Sequence, residues 1–285
     1  MHRQIGGPDF KVSPDQIAAF EIDGYLIVRA LFSDDETALI RETMEQDPKI
    51  RENMFDRTDT SGAVIRAVVW LEPGESTYGL VARVRRTAYA MAALLGDEVY
   101  HYQAKLIAKE PREGGAWEWH QDFGYWYEQN CLYPDMGSMM LALDDSTKKN
   151  GCLEVLSGSH KMGLIHHVLT STGQYFADPD RVSEVKKVLD HVYCELAPGD
   201  ALFIHSGILH HSGQNQSDLR RWTLLSCYNT KHNSPFRPIV PGTPYRPLQI
   251  TPDSAVLSAG IRFATGEENF QTKYVDELKE AAGLD

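Results

Sequence analysis

Two short segments of the chain carry residue types that together could bind a metal ion. Residues 119–123 have the sequence Trp-His-Gln-Asp-Phe, and residues 210–213 have the sequence His-His-Ser-Gly. Two imidazoles and one carboxylate are the protein ligands of 2-His-1-carboxylate iron(II) sites, which leave coordination positions open for cosubstrate and oxygen. His120, Asp122 and His210 are therefore our first candidates for the ligands of an oxygenase iron.

The spacing of His120 and Asp122 predicts how one element presents both side chains. They are two residues apart in a predicted strand, Trp117 to Phe123, so both would project from one face and Gln121 from the other. The pair is weak evidence by itself, because its residue types are common and many such pairs lie on surfaces. The interpretation depends on a third ligand and on the residues around it.

The third ligand is expected from a segment far downstream. Residues 201–204 form a buried-strand pattern after the turn Pro198-Gly199-Asp200, and the chain then continues to His210. A hairpin return there could bring His210 beside the first pair. Periodicity alone leaves His205 and His211 as competing ligands.

An arginine near the same place suggests a carboxylate-binding site. Arg221 follows His210 by 11 residues and begins an apolar strand. Its planar guanidinium can hold both oxygens of a carboxylate and stays charged at any ordinary pH. A surface ion pair with Asp218 is the alternative role for Arg221, and Arg220 is the alternative arginine for binding the carboxylate.

Helices are predicted mainly in the first third of the chain. A capped helix begins at Ser13, and a second, with a Ser-x-x-Glu capping box, runs from Ser33 to Asp47. A third runs from Tyr78 to Leu95 and stops at Gly96. Between them, residues 51–62 are polar and irregular and predict a mobile loop.

The rest of the chain predicts many short strands separated by turns. Two strands, 24–28 and 63–71, lie among the helices. The later ones are Val99 to Lys109, Trp117 to Phe123, Ser138 to Leu143, Cys152 to Leu156, Val192 to Leu196, Ala201 to Ile204 and Trp222 to Tyr228. This pattern is typical of a sandwich or barrel, a class that includes the double-sheet jelly rolls of metal-binding cupins.

Composition excludes several classes of protein. The formal net charge is −12, and no Lys/Arg cluster interleaves with aromatic residues, so we expect no nucleic-acid or membrane partner. The four cysteines are scattered without a C-x-x-C pair, which predicts reduced thiols. No segment has the length and apolarity of a signal peptide or membrane span. We expect a cytoplasmic protein with a small-molecule substrate, and a homo-oligomer is compatible with the sequence.

The ordered motifs resemble the phytanoyl-CoA dioxygenase family, which includes ectoine hydroxylase. They are Trp-x-Trp-His-Gln-Asp at residues 117–122, Asn-Gly-Cys-Leu-x-Val-x-x-Gly-Ser-His at 150–160, Pro-Gly-Asp at 198–200, and His-x-Ser-Gly-x-Asn at 210–215, with Arg221 beyond. The resemblance spans about residues 24–228. It implies a mainly β fold with flanking helices, a double-stranded β-helix of the jelly-roll, cupin-like type.

The resemblance also implies cofactors and roles. The family uses iron(II), 2-oxoglutarate and O2, and it releases succinate and CO2 as it oxidises a C–H bond. His120, Asp122 and His210 would bind the iron, and Arg221 the distal carboxylate of 2-oxoglutarate. Asp122 stands where related halogenases have a small residue, which favours hydroxylation over halogenation.

Further positions are matched to the family's cosubstrate and substrate contacts. Those expected near the cosubstrate are Gln103, Lys105, Ser138, Met140 and Ser212. Those expected to contact the substrate are Gln103 and Trp126. Trp126 belongs to an aromatic cluster around the first two ligands, whose faces would attract a small amine or zwitterion; ordinary core and surface packing is the alternative.

The sequence predicts a single domain over residues 1–285. Its parts are a helical region at about 13–96, a β-helix core at about 99–230 and an extension at 231–285. The segments 51–62, 166–180 and the tail after Lys231 are candidate lids. Two rival functions are a cupin-like metalloenzyme that does not use 2-oxoglutarate and a non-catalytic β-sandwich binding module; the spacing of Arg221 and the complete ligand set argue against them.

Overall fold

The computed structural model describes residues 6–169, 174–238 and 243–271. Its α-helices are α1 (Pro14–Asp23), α2 (Asp34–Gln46), α3 (Pro48–Glu52), α4 (Arg85–Leu95), α5 (Asp122–Glu128), α6 (Pro179–Val185) and α7 (Ala255–Ala259). The first two helices begin at Ser13 and Ser33, and each has a reciprocal capping box, as predicted for the second.

Thirteen strands are present in the described residues. They are β1 (Tyr25–Val28), β2 (Phe55–Thr58), β3 (Val64–Trp70), β4 (Val99–Lys109), β5 (Trp117–His120), β6 (Met136–Ala142), β7 (Leu153–Leu156), β8 (His167–Leu169), β9 (Tyr175–Ala177), β10 (His191–Cys194), β11 (Ala201–His205), β12 (His210–Ser212) and β13 (Arg221–Thr230). Every strand predicted from the sequence has a counterpart among them.

The strands form two facing antiparallel sheets. The larger has the order β1-β11-β6-β13-β4-β3-β2, and the smaller has the order β10-β7-β12-β5; β8 and β9 form a separate hairpin. The strand order mixes elements distant in sequence, as the return connections of a jelly roll require. The fold is therefore the expected mainly β, double-stranded β-helix with flanking helices.

The helices cover the outer face of the seven-stranded sheet. One large buried cluster joins apolar residues of α1, α2 and α4 to those of β3, β4, β6, β11 and β13. Strands β1, β2 and β3 belong to this sheet although they precede residue 99. With one face buried under helices, the sheet turns its other face toward the smaller sheet.

Two local predictions were wrong. The predicted helix from Tyr78 to Leu95 is a 3-10 turn at Leu80–Ala82 followed by α4, because Val84 is extended and bridges Thr251. The predicted mobile loop at residues 51–62 instead contains the end of α3 and strand β2, which pairs with β3.

The candidate lid segments are described only in part. Residues 166–180 include the β8–β9 hairpin and the start of α6, and their positions 170–173 lie outside the described residues. The same holds for positions 239–242 and 272–285 of the tail after Lys231. Within the described ranges, no helix has the length and apolar character needed to cross a membrane.

Candidate metal centre and active site

A cavity lies between the inner faces of the two sheets. Its volume is about 770 Å³, including the space open to solvent at its mouth. The larger sheet and α5 contribute Phe55, Arg57, Ala67, Val69, Lys105, Ile107, Asp122, Tyr125, Met140, Arg221, Thr223 and Leu225. The smaller sheet contributes Trp117, His120, Leu153, His210 and Ser212.

His120, Asp122 and His210 meet on one wall of this cavity. One potential ligand atom from each lies within 4.8 Å of the others, and all three side chains are buried. In the part of the chain that the structure describes, it is the only such group of three. The pairing of β12 with β5 sets His210 directly opposite His120, with ring centroids 4.1 Å apart.

Asp122 belongs to a different secondary-structure element from the one predicted. Strand β5 ends at His120 and Asp122 begins α5, so the prediction that one strand carries both residues to Phe123 was wrong. The backbone turns because Phe123 donates from its N–H to the Ser206 carbonyl and Gly124 donates to the Gln121 carbonyl. Gln121 points away from the metal group, as predicted. Its amide nitrogen donates to the carbonyls of Gly163 and Gly207, and its amide oxygen accepts a hydrogen bond from the Ile165 N–H.

Hydrogen bonds fix how both imidazoles face the group. His120 Nδ1 lies 2.7 Å from the Glu118 carbonyl oxygen, and His210 Nδ1 lies 3.0 Å from that of Ile208. Because a carbonyl only accepts, each Nδ1 carries the hydrogen and each Nε2 keeps its lone pair. Metal-bound histidines are held in the same way, so this donor set fits a metal ion.

The charge states of the three side chains also suit metal binding. Burial and the neighbouring His210 lower the pKa of His120 well below its usual value, and burial lowers the pKa of His210. Burial alone would raise the pKa of Asp122, but Lys105 and the two imidazoles outweigh it and lower that pKa to about 2. At neutral pH the group therefore offers two neutral imidazoles and one carboxylate.

Two predicted residues support Asp122 from the larger sheet. Lys105 Nζ lies 3.7 Å from Asp122 Oδ1, and it also lines the cavity. Ser138 Oγ donates to Asp122 Oδ2 at 3.2 Å. Lys105 therefore combines a place on the cavity wall with a contact to the carboxylate, whereas Ser138 does not line the cavity and lies between Asp122 and Cys227 Sγ.

The structure separates His210 from the two histidines that competed with it. His205 lies outside the cavity, with its ring 5.1 Å from that of His160 and 6.4 Å from that of Phe20. His211 points to the opposite face of β12, where it stacks on Trp119 with centroids 5.2 Å apart. Strand alternation therefore turns only His210 toward Asp122.

Arg221 is fully buried in the cavity wall. It donates from one terminal nitrogen to the Gly151 carbonyl at 2.7 Å, and its Nε has no hydrogen-bond partner among the described residues. Burial lowers its pKa to about 10, so it remains a cation at neutral pH. The competing roles are absent, because Asp218 pairs with Arg112 and Arg220 pairs with Glu45 and Asp144.

Thr223 lines this part of the cavity and Lys109 supports Ser212, and neither residue was predicted from the sequence. Thr223 lies two residues after Arg221, and its buried Oγ1 has no hydrogen-bond partner among the described residues. Lys109 donates to Ser212 Oγ at 2.8 Å and to the Gly213 carbonyl. Lys109 could have been found, since it alternates with Gln103 and Lys105 along one strand.

Arg221 Nε and Thr223 Oγ1, the two unsatisfied groups, are suited to bind a carboxylate. A buried polar group without a partner costs free energy, and an anion beside Arg221 and Thr223 would satisfy both. Met140 and Ser212, two further predicted contacts, also line the cavity. The distal carboxylate of 2-oxoglutarate therefore fits this position, within the same cavity as the metal group.

Gln103 and Trp126 are buried near the cavity without lining it. Gln103 lies opposite Cys227 on β13, and Trp126 packs edge to face against Tyr102, with ring planes 64° apart. Lys105 Nζ lies 6.0 Å from the Trp126 ring centroid. A protein cation therefore already lies near the ring for which a cationic substrate was predicted, and the substrate roles of Gln103 and Trp126 stay predictions.

Strand β2 contributes cavity residues that the sequence did not indicate. Phe55 and Arg57 project from it into the cavity beside Ala67 and Val69 of β3. The polar composition of residues 51–62 concealed the strand. The available signal was the alternation of exposed Asp56 with its less exposed neighbours Phe55 and Arg57, which four residues make weak.

Comparisons with known proteins agree with this geometry. Residues 20–222 match the family model for phytanoyl-CoA dioxygenase (PhyH). The chain is 30% identical to the L-proline trans-4-hydroxylase of Streptomyces griseoviridis over 77% of this chain and 87% of that one. It is 28% identical to the ectoine dioxygenase of Sphingopyxis alaskensis over 81% of this chain and 80% of that one.

A solved structure has the same architecture. EctD from S. alaskensis, crystallised with 2-oxoglutarate and 5-hydroxyectoine, superimposes with a TM-score of 0.71 at 25% identity and covers 87% of this chain and 90% of that one. The same protein has been crystallised with bound iron. When iron and 2-oxoglutarate are bound, they enable dioxygen to oxidise a C–H bond of a substrate. The chain belongs to the phytanoyl-CoA dioxygenase family and is an iron(II)- and 2-oxoglutarate-dependent dioxygenase.

Proposed function

We propose that His120, Asp122 and His210 bind the catalytic iron and that Arg221 binds the distal carboxylate of 2-oxoglutarate. Three ligand atoms within 4.8 Å of one another, with both Nδ1 atoms engaged by carbonyls, carry this proposal. Thr223 and Ser212 add hydroxyl groups to the cosubstrate half of the cavity, and Lys109 holds Ser212 in place. Lys105 keeps Asp122 ionised.

The substrate that we propose is a small cyclic amino acid, which the enzyme hydroxylates at an unactivated carbon. The similar proteins are named for L-proline and ectoine, two compact rings that each carry a carboxylate. The cavity is lined mostly by apolar side chains with a few polar and charged groups, as is usual for sites that bind small molecules. Apolar side chains around the free half would exclude water from the reacting carbon.

Succinate release tests the substrate proposal. The iron-loaded protein would be incubated in air with 2-oxoglutarate and, separately, L-proline, ectoine and other cyclic amino acids. We expect at least one of them to increase succinate formation several-fold above the substrate-free rate and to gain one oxygen atom by mass. Stimulation by none of these compounds, from a protein that binds iron and 2-oxoglutarate, would contradict the proposed substrate class.

We also infer a cytoplasmic location, supported by four buried cysteines that are all free thiols. The homo-oligomer stays a prediction, which sedimentation equilibrium of the purified protein would test.

A further inference from the structure

Arg57 is a buried cation on the cavity wall, away from the cosubstrate half. It lies on β2 and is 7% exposed. Its Cζ is 5.6 Å from the ring centroid of Phe55 and 5.5 Å from that of Trp117. Two aromatic faces restrict the orientation of the guanidinium, and a restricted planar fork loses little entropy when it binds a carboxylate.

Arg57 and Arg221 stand at opposite ends of one row across the larger sheet. Arg57 pairs with Ile65, and Lys109 pairs with Arg221. Because Arg66 pairs with Ala108, Ile65 and Lys109 are neighbours in the same row. Three strand spacings of ~4.8 Å separate the Cα atoms of the two arginines by about 14 Å along the sheet. Arg57 therefore belongs to a different part of the cavity wall from the arginine proposed to bind 2-oxoglutarate.

Cations outnumber carboxylates among the charged side chains that line the cavity. The charged side chains that line it are three cations, Arg57, Lys105 and Arg221, and one carboxylate, Asp122. Their sum is +2, and iron(II) raises it to +4. The two charges of 2-oxoglutarate leave about +2 in a cavity with largely apolar walls, where charge is screened less than in bulk water. A carboxylate is thus favoured there, even though the protein as a whole carries −12.

Two aromatic residues, Trp117 and Tyr125, connect Arg57 to the metal group. The ring of Trp117, which packs against Arg57, has its centroid 6.3 Å from that of His120. The ring of Tyr125 lies 5.7 Å from that of His120, and the charge of Arg57 acts on the Tyr125 hydroxyl. Ala67 and Val69 are apolar lining residues that lead along β3 from the row of Arg57 to that of Lys105, which contacts Asp122.

We propose that Arg57 binds the carboxylate of the primary substrate and so determines which substrates the enzyme accepts. The carbon skeleton would lie along the apolar wall with its end remote from the carboxylate toward the metal group. Oxidation is then directed to a carbon distant from the carboxyl group. This inference rests on the proposed function, since it gives the substrate's acidic group a binding residue.

Binding of a matched pair of probes tests the role of Arg57. L-Proline and L-prolinamide have the same ring and differ at the carboxyl group. Their dissociation constants would be measured by anaerobic calorimetry on the complex with iron(II) and 2-oxoglutarate, which needs no turnover. We expect wild type to prefer the acid, and Arg57→Gln to weaken binding of the acid by roughly 30-fold or more while changing that of the amide little.

Two further variants separate binding from folding. Arg57→Lys keeps the charge without the fork and should retain part of the preference for the acid. Arg66→Gln is the matched control, because Arg66 lies on the neighbouring strand, is partly exposed and has Asp56 3.6 Å away. It should bind both probes as wild type does. Unchanged affinity of every variant for 2-oxoglutarate would show that the cavity is intact.

The outcomes distinguish this inference from the proposed function. An Arg57→Gln protein that keeps the wild-type preference for the acid would overturn the role of Arg57 while leaving the enzyme a hydroxylase of amino acids. Wild type that binds neither L-proline nor any other cyclic amino acid would overturn both. Wild type that binds these acids through Arg57 but never forms succinate with them would reject only the proposed hydroxylation.

Discussion

The guanidinium of Arg221 has one satisfied nitrogen and one that is buried without a partner among the described residues. The carbonyl of Gly151 fixes its position, which leaves the rest of the planar fork for a carboxylate. The sequence indicated this arginine correctly, because its spacing from His210 matches a known family. Thr223, which adds a second unsatisfied donor, was missed, since one threonine in an apolar strand has no distinguishing signal.

Replacing Arg221 should separate cosubstrate binding from metal binding. We expect Arg221→Met to weaken 2-oxoglutarate binding about 100-fold or more, because a buried charge-assisted contact is lost. Iron(II) content should stay at the wild-type level, since Arg221 contacts none of the three candidate ligands. Anaerobic calorimetry and metal analysis measure the two quantities.

Arg220→Met is the matched control for that experiment. Arg220 is the adjacent arginine, but it pairs with Glu45 and Asp144 outside the cavity. We expect it to bind 2-oxoglutarate as wild type does. Loss of iron from Arg221→Met, or equal effects of the two substitutions, would mean that Arg221 acts on the fold and not on the cosubstrate.

At the scale of elements, alternation and turns explain which parts of the site could be predicted. His210 faces the cavity and His211 faces away because they are adjacent residues of β12, yet the sequence could not decide which residue faces in. That choice depends on the register of β12 against β5. Asp122 lies beside His120 and His210 although it belongs to α5, because the backbone turns after His120 and the strand does not continue.

The turn at Gly151 links two elements of the cosubstrate half. Gly151 has φ +76°, and a Cβ there would lie 2.1 Å from the Gly213 carbonyl oxygen. Its own carbonyl accepts the hydrogen bond from Arg221. Gly151→Ala should therefore cost more unfolding free energy than the ~1–2 kcal/mol of a left-handed backbone alone, and it should weaken 2-oxoglutarate binding.

Gly62→Ala offers a control with the same kind of backbone. Gly62 has φ +89° and nothing within 4 Å of a Cβ, so it should show only the cost of the left-handed conformation, about 1–2 kcal/mol, with normal cosubstrate binding. Urea unfolding and calorimetry measure both effects. Normal 2-oxoglutarate binding by Gly151→Ala would contradict the claim that this turn positions Arg221.

Across the whole molecule, the helical layer supports the outer face of the sheet that carries Arg57, Lys105 and Arg221. At its centre, Arg86 of α4 is fully buried and pairs with buried Glu36 of α2. The sequence predicted both helices and the β core, because their patterns are long and periodic. It could not predict this pair, since residues 50 positions apart are brought together only by tertiary packing.

Breaking this buried ion pair should destabilise the whole fold. Arg86→Met leaves Glu36 charged and unpaired, and we expect a loss of about 3–5 kcal/mol in the free energy of unfolding. Adding Glu36→Gln removes the nearer of two stranded charges, since Asp253 also lies 3.9 Å from Arg86 Nε, and it keeps a side chain able to form the capping box at Ser33. The double variant should therefore recover part of that loss. A double variant less stable than Arg86→Met alone would refute this explanation.

The central claim is that one cavity binds iron(II) through His120, Asp122 and His210 and chelates 2-oxoglutarate to that iron. Anaerobic titration of the iron(II) protein with 2-oxoglutarate tests it directly, through the weak visible charge-transfer band of the chelate. We predict a band that saturates at one equivalent in wild type, persists in His211→Ala and is absent in His210→Ala. No band in wild type, or a full band in His210→Ala, would contradict the account.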